Sequence, residues 1–79
     1  MEAEMIRRIQ AALPDATVRL HDLTGTRDHW QAVVVHPSFA GEARLKRQRR
    51  VFAALGELMH GPIHALTMQT MTPDEAGED

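Results

Sequence analysis

The chain has 79 residues, which is enough for one small domain but leaves no room for a second domain or a deep substrate cavity. The residues are 43% hydrophobic and 25% charged, the formal net charge is −2, and no apolar run approaches the ~18 residues of a membrane span. Cysteine is absent, which excludes disulfides, a thiol nucleophile and a self-contained iron–sulfur or cysteine–zinc site. We expect a cytoplasmic protein with no membrane partner.

The first half of the chain predicts a helix followed by two strands. Apolar residues four apart, Met5, Ile9 and Leu13, indicate an amphipathic helix over residues 2–13. Residues 16–22 alternate apolar and polar, as a half-buried strand does, and residues 29–36 are rich in β-branched and aromatic residues. The short connection between them predicts an antiparallel hairpin.

The second half predicts a helix over residues 43–59, which Gly61–Pro62 ends, and a third strand over residues 63–71. Because a long helix precedes this strand, it must cross over, which favours parallel pairing with one of the first two strands. The expected class is α+β, a three-stranded mixed sheet with helices on one face. Its core is expected to include Val18, Leu20, Val33, Val35, Phe52, Leu55 and Leu66.

We predict one domain over residues 1–72, followed by an acidic tail, 73–79, that is flexible. Basic residues are concentrated in segment 42–50, which has five bases and one acid. Such a segment forms either a solvated helix face or an interaction surface for an anionic partner. We predict that its bases are mostly exposed and form a partner-binding surface: Arg44, Lys46, Arg47, Arg49 and Arg50.

Catalytic motifs are absent from the sequence. There is no His-Glu-x-x-His pair, no Gly-x-Ser-x-Gly, and no Walker or dinucleotide fingerprint. Nothing brings an acid and a base together in a water-excluding pocket, so we predict that the protein is not an enzyme. The strong nitrogen ligands are five histidines: His21, His29, His36, His60 and His64.

Nucleic-acid binding is an alternative. The α-β-β-α-β order with a basic helix invites comparison with KH-type modules, which grip the nucleic-acid backbone with a Gly-x-x-Gly loop. No two glycines here are three residues apart, and the only aromatic residues are Trp30, Phe39 and Phe52. A KH-like nucleic-acid-binding or transcription-regulating module that uses helix 43–59 is the second hypothesis.

Five motifs in order over residues 29–75 resemble the BolA-like family, in its compact bacterial branch. They are His-aromatic-x-x-x-Val-Val from residue 29, Phe-x-Gly from residue 39, a basic cluster leading into Val-aromatic-x-x-Leu, Ile-His-Ala-Leu from residue 63, and Thr-x-Thr-Pro-x-Glu from residue 70. The resemblance implies a fold similar to type II KH topology without its glycine loop.

The resemblance also implies a partner, a monothiol glutaredoxin, with which the protein would hold a glutathione-coordinated [2Fe–2S] cluster in iron–sulfur trafficking or iron regulation. The family's cluster ligand is the histidine of Ile-His-Ala-Leu, which matches His64. Family members often carry a second Cys or His in the hairpin turn. This turn has neither, and His29 at its border is the candidate for the second metal ligand. The family's Arg-His-Arg motif reads Arg47-Gln48-Arg49 here.

A [2Fe–2S] cluster needs four ligands, usually thiolates, and histidine can replace cysteine on one iron. Because this chain has no thiolate, the thiolate ligands of such a cluster must come from elsewhere, and the resemblance implies that glutaredoxin and glutathione supply them. We therefore expect the isolated protein to carry no cofactor and to be colourless. The free protein is expected to be a monomer, with a homodimer as the alternative.

Overall fold

The computed structural model of the protein describes residues 1–77. Two long helices and three strands follow one another in the predicted order, and a short helical turn is added after Thr72. The elements are α1 (Glu2–Ala12), β1 (Thr17–Asp22), β2 (His29–Val35), a 3-10 turn (Pro37–Phe39), α2 (Arg44–Leu55), a second 3-10 turn (Gly56–His60), β3 (Ala65–Met71) and α3 (Pro73–Ala76).

The sheet has the strand order β1-β2-β3. β1 pairs with β2 antiparallel, with Thr17 opposite Val35, and β2 pairs with β3 parallel, with His29 opposite Ala65. The predicted hairpin and the predicted parallel crossover are both confirmed. Parallel pairing has a direct consequence for the histidines, because it places the first residues of β2 and β3 side by side at one end of the sheet.

The core lies between the two long helices and one face of the sheet. Met5 and Ile9 of α1 pack there with Val51 and Leu55 of α2, and the sheet contributes chiefly Trp30, Ala32 and Val34 of β2. Leu55 is fully buried, as predicted, and Val35 is 5% exposed. The other predicted strand residues that pack at the border of the core are Val18, Leu20 and Leu66.

Two core predictions were wrong. Val33 lies between the inward-facing Ala32 and Val34, so strand alternation turns it to the open face of the sheet, where it is half-buried. Phe52 is 37% exposed because the inward stripe of α2 consists of Val51 and Leu55, one position to its side. In a run of three valines, or in a helix with several adjacent apolar residues, the sequence does not show which of them faces the core.

The second helix ends earlier than predicted. Gly56 has a φ of +54°, a conformation that residues with a Cβ rarely adopt, and the α-helical hydrogen bonding stops at Leu55. The 3-10 turn then carries the chain to Gly61. Residues 43–59 are thus an α-helix of 12 residues followed by a tighter turn.

Pro73–Ala76 form a capped helical turn, α3, that was not predicted from the sequence. The Thr72 hydroxyl accepts from the Glu75 amide at 3.2 Å, and a Glu75 carboxylate oxygen accepts from the Thr72 amide at 2.8 Å. Flexibility of the tail remains a prediction, and residues 78 and 79 lie outside the described part of the chain.

Arg47 joins three elements and does not belong to the exposed surface predicted for it. Its side chain is 11% exposed. The guanidinium donates to the carbonyl oxygens of Glu42 at 2.9 Å and Thr70 at 3.1 Å, and it meets the Glu75 carboxylate at 2.7 Å. It also lies over the Phe39 ring, 5.8 Å from its centroid. Arg47 therefore holds the N-terminal end of α2 to the end of β3 and to α3.

We predict that Arg47→Met lowers the free energy of unfolding by about 2–3 kcal/mol, because the carbonyl groups of Glu42 and Thr70 lose a charged donor. The methionine keeps most of the apolar stem, so packing changes little. Urea denaturation at pH 7 measures the change, with Arg49→Met on the exposed side of the same helix as the matched control, expected within about 0.5 kcal/mol of wild type. Equal stability of the two variants would contradict the structural role.

The stability difference between wild type and Arg47→Met, measured as a function of pH, tests the Glu75 contact. The Arg47 hydrogen bond lowers the pKa of Glu75. A lowered carboxyl pKa stabilises the fold above the ordinary glutamate range, and this contribution is lost as pH falls through the lowered value. The stability difference between wild type and Arg47→Met should therefore narrow in acid.

Candidate metal-ligand site at one end of the sheet

The hairpin turn between β1 and β2 is organised by one carboxylate. Asp22 accepts from the amides of Thr24 and Gly25 through Oδ1, at 3.3 and 2.9 Å, and from the amide of Arg27 through Oδ2, at 3.0 Å. Gly25 and Arg27 both have positive φ, which this tight path requires. The turn therefore delivers Asp28 and His29 to the start of β2 in a defined conformation.

Asp28 is where the turn meets β3. Its carbonyl oxygen accepts from the amides of His64 and Ala65, at 2.8 and 3.2 Å. Ile63, just before this point, is 1% exposed and belongs to the core. His64 lies between the buried Ile63 and Ala65, the first residue of β3. It is therefore held in place by its own amide as well as by its neighbours.

The two sequence-predicted ligands, His29 and His64, lie together. Their rings are stacked, with centroids 6.0 Å apart and planes inclined by 16°. The His64 side chain is 70% exposed and that of His29 is 43% exposed. Two solvent-accessible imidazoles thus lie at one end of the sheet. The core and the hairpin turn hold the backbone beneath them in place.

The Asp28 carboxylate faces both rings. Its Oδ1 lies 2.9 Å from Nδ1 of His29, which is a hydrogen bond, and its Oδ2 lies 3.7 Å from Nδ1 of His64. The Thr26 hydroxyl donates to Oδ1 as well. The hydrogen bonds from Thr26 and His29 lower the pKa of Asp28 to about 2, so the group is a carboxylate at neutral pH.

An ionised carboxylate only accepts hydrogen bonds, so Nδ1 of His29 must carry the proton. In the neutral ring, the lone pair is then on Nε2. This is the arrangement seen at many metal sites, where a carboxylate holds one ring nitrogen and the other binds the metal. The geometry therefore prepares Nε2 of His29 as a ligand atom.

The other histidines do not join this pair. In His36, Nε2 lies 3.0 Å from the Pro14 carbonyl oxygen and Nδ1 accepts from the Ser38 amide at 3.2 Å, so both ring nitrogens have partners. His21 lies on β1 and His60 in the second 3-10 turn, and both are exposed. Within residues 1–77, no three His, Cys, Asp or Glu side chains are placed to hold a metal ion by themselves.

The predicted basic surface is divided. Arg44, Lys46 and Arg49 are exposed. Arg50 is 32% exposed and pairs with Glu42 at 2.5 Å and with the Ser38 hydroxyl at 2.9 Å, and Arg47 is internal as described above. The exposure prediction was therefore wrong for Arg47 and only partly correct for Arg50. Both guanidinium groups lie over the ring of Phe39, which is buried.

The fold and site define a class of protein: a small mixed-sheet domain with a carboxylate-held histidine pair at one end of the sheet. No helix among residues 1–77 is long and apolar enough to cross a membrane. The sequence model described as BolA-like protein matches residues 15–75, which include all three strands and α2. The chain belongs to the BolA-like family.

Individual relatives agree with this assignment. The chain is 33% identical over 86 residues to BolA-like protein 1 of Pongo abelii, covering 100% of this chain and 63% of that protein. It is 33% identical over 61 residues to the DNA-binding transcriptional regulator BolA of Escherichia coli strain K12, covering 77% of this chain and 58% of that protein. The chain thus spans less than two thirds of the length of these relatives.

A solved structure supports the fold directly. The bolA protein homologue from Coxiella burnetii superposes with a TM-score of 0.82 at 34% identity, and the alignment covers 99% of this chain and 97% of that one. The relatives named here are described as BolA proteins or as a regulator, without a catalytic activity in their names.

Sequence reasoning did not single out Asp28. An aspartate directly before a candidate ligand, in a turn with two threonines, was the available signal. Its importance depends on the distance between β2 and β3, because only the parallel pairing brings His64 to the same carboxylate. That part of the site could not be inferred from local sequence alone.

We predict that neutral His29 is mainly in the tautomer with the proton on Nδ1, and that Asp28→Asn weakens this preference because an amide can either donate or accept. Imidazole 15N chemical shifts at pH 8 measure the tautomer in both proteins. His36 is the internal control, since its contacts with Pro14 and Ser38 fix the opposite tautomer in either protein. A wild-type His29 with its proton on Nε2 would refute this account.

Proposed function

We propose that this protein is a non-enzymatic partner of a monothiol glutaredoxin, and that the two proteins share a glutathione-coordinated [2Fe–2S] cluster in iron–sulfur trafficking or iron regulation. His64 and His29 are the proposed ligands from this chain. The observation that carries the proposal is the exposed histidine pair, 6.0 Å apart between ring centroids, with Asp28 behind it.

The donor set supports a shared cluster over a cluster held by this chain alone. The sequence has no cysteine. The described residues offer two imidazoles at this end of the sheet but no group of three metal-binding side chains. Two imidazoles can complete the coordination of one iron, while thiolates from glutaredoxin and glutathione bind the other. When bound, the cluster supplies the iron chemistry, and this chain supplies nitrogen donors and a carboxylate that orients them.

The rim position of the pair also suits transfer. Neither ring is enclosed, and the backbone beneath them is fixed by the Asp28 carbonyl oxygen and by buried Ile63. A partner can therefore approach both rings without displacing the core. Arg44, Lys46 and Arg49 are exposed and remain the candidates for electrostatic contacts with the partner, together with the exposed part of Arg50.

We predict that His64→Ala abolishes or strongly alters the visible circular dichroism of the mixed cluster, formed by adding this protein to a cluster-loaded monothiol glutaredoxin. Because the His64 side chain is 70% exposed, its removal should change the free energy of unfolding by no more than about 0.5 kcal/mol. His60→Ala, which removes another exposed histidine, is the matched control and should give the wild-type spectrum.

His29→Ala separates the two ligand assignments. A change comparable to that of His64→Ala supports coordination by both rings, whereas a wild-type spectrum would show that His29 is structural. If His64→Ala itself gives the wild-type spectrum and stability of the mixed cluster, the proposed function fails.

The alternative function is nucleic-acid binding, as the name of the Escherichia coli relative describes for that protein. The observation that favours it is the exposed group of Arg44, Lys46 and Arg49 on α2. Trp30 and Phe39 are buried, so Phe52 is the one residue among these three aromatics that could offer a stacking surface. Tight, sequence-dependent DNA binding by the protein alone, weakening by about one log unit per neutralised phosphate for each tenfold rise in salt, would favour this alternative.

A further inference from the structure

The outer edge of β3 carries backbone groups that no strand among residues 1–77 pairs with. The Ala65 amide donates to Asp28 and the Met71 carbonyl oxygen accepts from the His36 amide, so the odd-numbered residues of β3 bond to β2. In a parallel ladder the alternate residues point the other way. Leu66, Met68 and Thr70 therefore direct their backbone groups to the outer edge, where no strand among residues 1–77 pairs with them.

This edge lacks the features that usually prevent pairing. Proteins protect exposed strand edges with charges, prolines or bulges. β3 reads Ala-Leu-Thr-Met-Gln-Thr-Met, seven residues with no charge and no proline, and its pairing with β2 is continuous. The opposite edge strand, β1, carries Arg19 and Asp22. The β3 edge is thus the one that can accept another strand.

A groove lies beside the second half of this edge. It is a cavity of about 300 Å³ between β3 and the beginning of α2, lined by Arg44 and Gln48 on the helix and by residues 68–71 on the strand. Thr70 is 8% exposed, and its hydroxyl has no hydrogen-bond partner among the described residues. A buried hydroxyl without a partner is costly, and a ligand in the groove would satisfy it.

One end of the groove lies at the start of α2 and includes a basic side chain, Arg44. The 12-residue helix α2 begins there with Ala43 as its N-cap residue, no side chain caps it, and no acidic residue lies in its first turn. Its first amides carry the positive end of the helix dipole, and the exposed Arg44 adds a full charge. A carboxylate is the group that fits this end of the groove.

We propose that the β3 edge and this groove bind an extended peptide segment of a partner protein by strand addition, with a carboxylate of the peptide at Arg44 and the first turn of α2. The peptide would pair with the outward groups of Leu66 and Met68 and with the Thr70 amide. The Thr70 carbonyl oxygen already accepts from Arg47, so the pairing ends there.

A peptide fits these features better than the other occupants. A row of alternating backbone donors and acceptors matches another peptide backbone and not a chain of phosphates. A second copy of β3 would bring no carboxylate to Arg44, since that strand is uncharged. The inference does not depend on a cluster, because it uses the outer edge of β3 and not the histidine pair.

The test is a titration followed by two-dimensional 15N–1H NMR. The probes are two acetylated, amidated hexapeptides, Thr-Val-Thr-Val-Thr-Glu and Glu-Thr-Val-Thr-Val-Thr, which place the carboxylate for parallel and antiparallel pairing. One of them should shift the amides of Met68, Thr70 and Gln48, and leave β1 unchanged. The same peptide with Gln in place of Glu should bind roughly tenfold more weakly.

Two charge-reversal variants locate the carboxylate. Arg44→Glu should weaken binding of the acidic peptide, whereas Arg49→Glu, the same change on the exposed side of the same helix, should not. Thr70→Val should weaken binding while raising the Tm of the free protein, because it removes a buried hydroxyl that has no hydrogen-bond partner among residues 1–77. Equal binding by Thr70→Val would overturn the hydrogen bond assigned to this hydroxyl.

Three results would overturn the proposal as a whole: no shift along β3 with either peptide, equal binding by Arg44→Glu and Arg49→Glu, or β3 shifts that depend on protein concentration without peptide. The last would assign the edge to a second copy of the chain. A single-stranded DNA oligonucleotide that produces the same shifts where the peptides do not would assign the groove to nucleic acid. A cluster lost in His64→Ala with peptide binding intact would keep the two proposals separate.

Discussion

Asp28 is the point at which the turn, β2 and β3 meet. Its carbonyl oxygen binds the amides of His64 and Ala65, and its carboxylate faces both imidazoles. The parallel register of β2 and β3 starts from this contact, and the same register places Leu66 and Met68 against the core. Because one residue sets both the strand pairing and the ring positions, the histidine pair is a consequence of the sheet and not of a flexible loop.

The order of elements and their pairing could be predicted because both depend on signals that are local or topological. Period-two and period-3.6 patterns identify strands and helices, and a helix between two strands requires a crossover. The errors have a common physical origin. Val33 lies in a run of valines and Phe52 beside Val51, so either phase would place an apolar residue inward. In the structure it is Val34 and Val51 that join the buried core.

Charge was the least predictable property. Five bases of one helix look alike in the sequence, but Arg47 and Arg50 turn towards Phe39, Glu42 and carbonyl groups, while the others face solvent. The difference depends on partners up to 28 residues away, such as Glu75, which local patterning does not reveal. The histidine pair could be predicted as candidates from the family resemblance, but its carboxylate could not. Arg47 thus has a structural role, whereas the rings of His29 and His64 remain exposed.

The central claim is that two imidazole nitrogens of this chain bind the iron of a shared cluster. Pulsed electron–nuclear double resonance on the reduced mixed cluster tests it most directly, with 15N-histidine in this protein and an unlabelled glutaredoxin. The account predicts two 15N couplings of the size expected for directly bound imidazole. One coupling would leave a single histidine in the ligand set, and the same measurement on His29→Ala and His64→Ala would identify it. The absence of any coupling to labelled histidine would contradict the account.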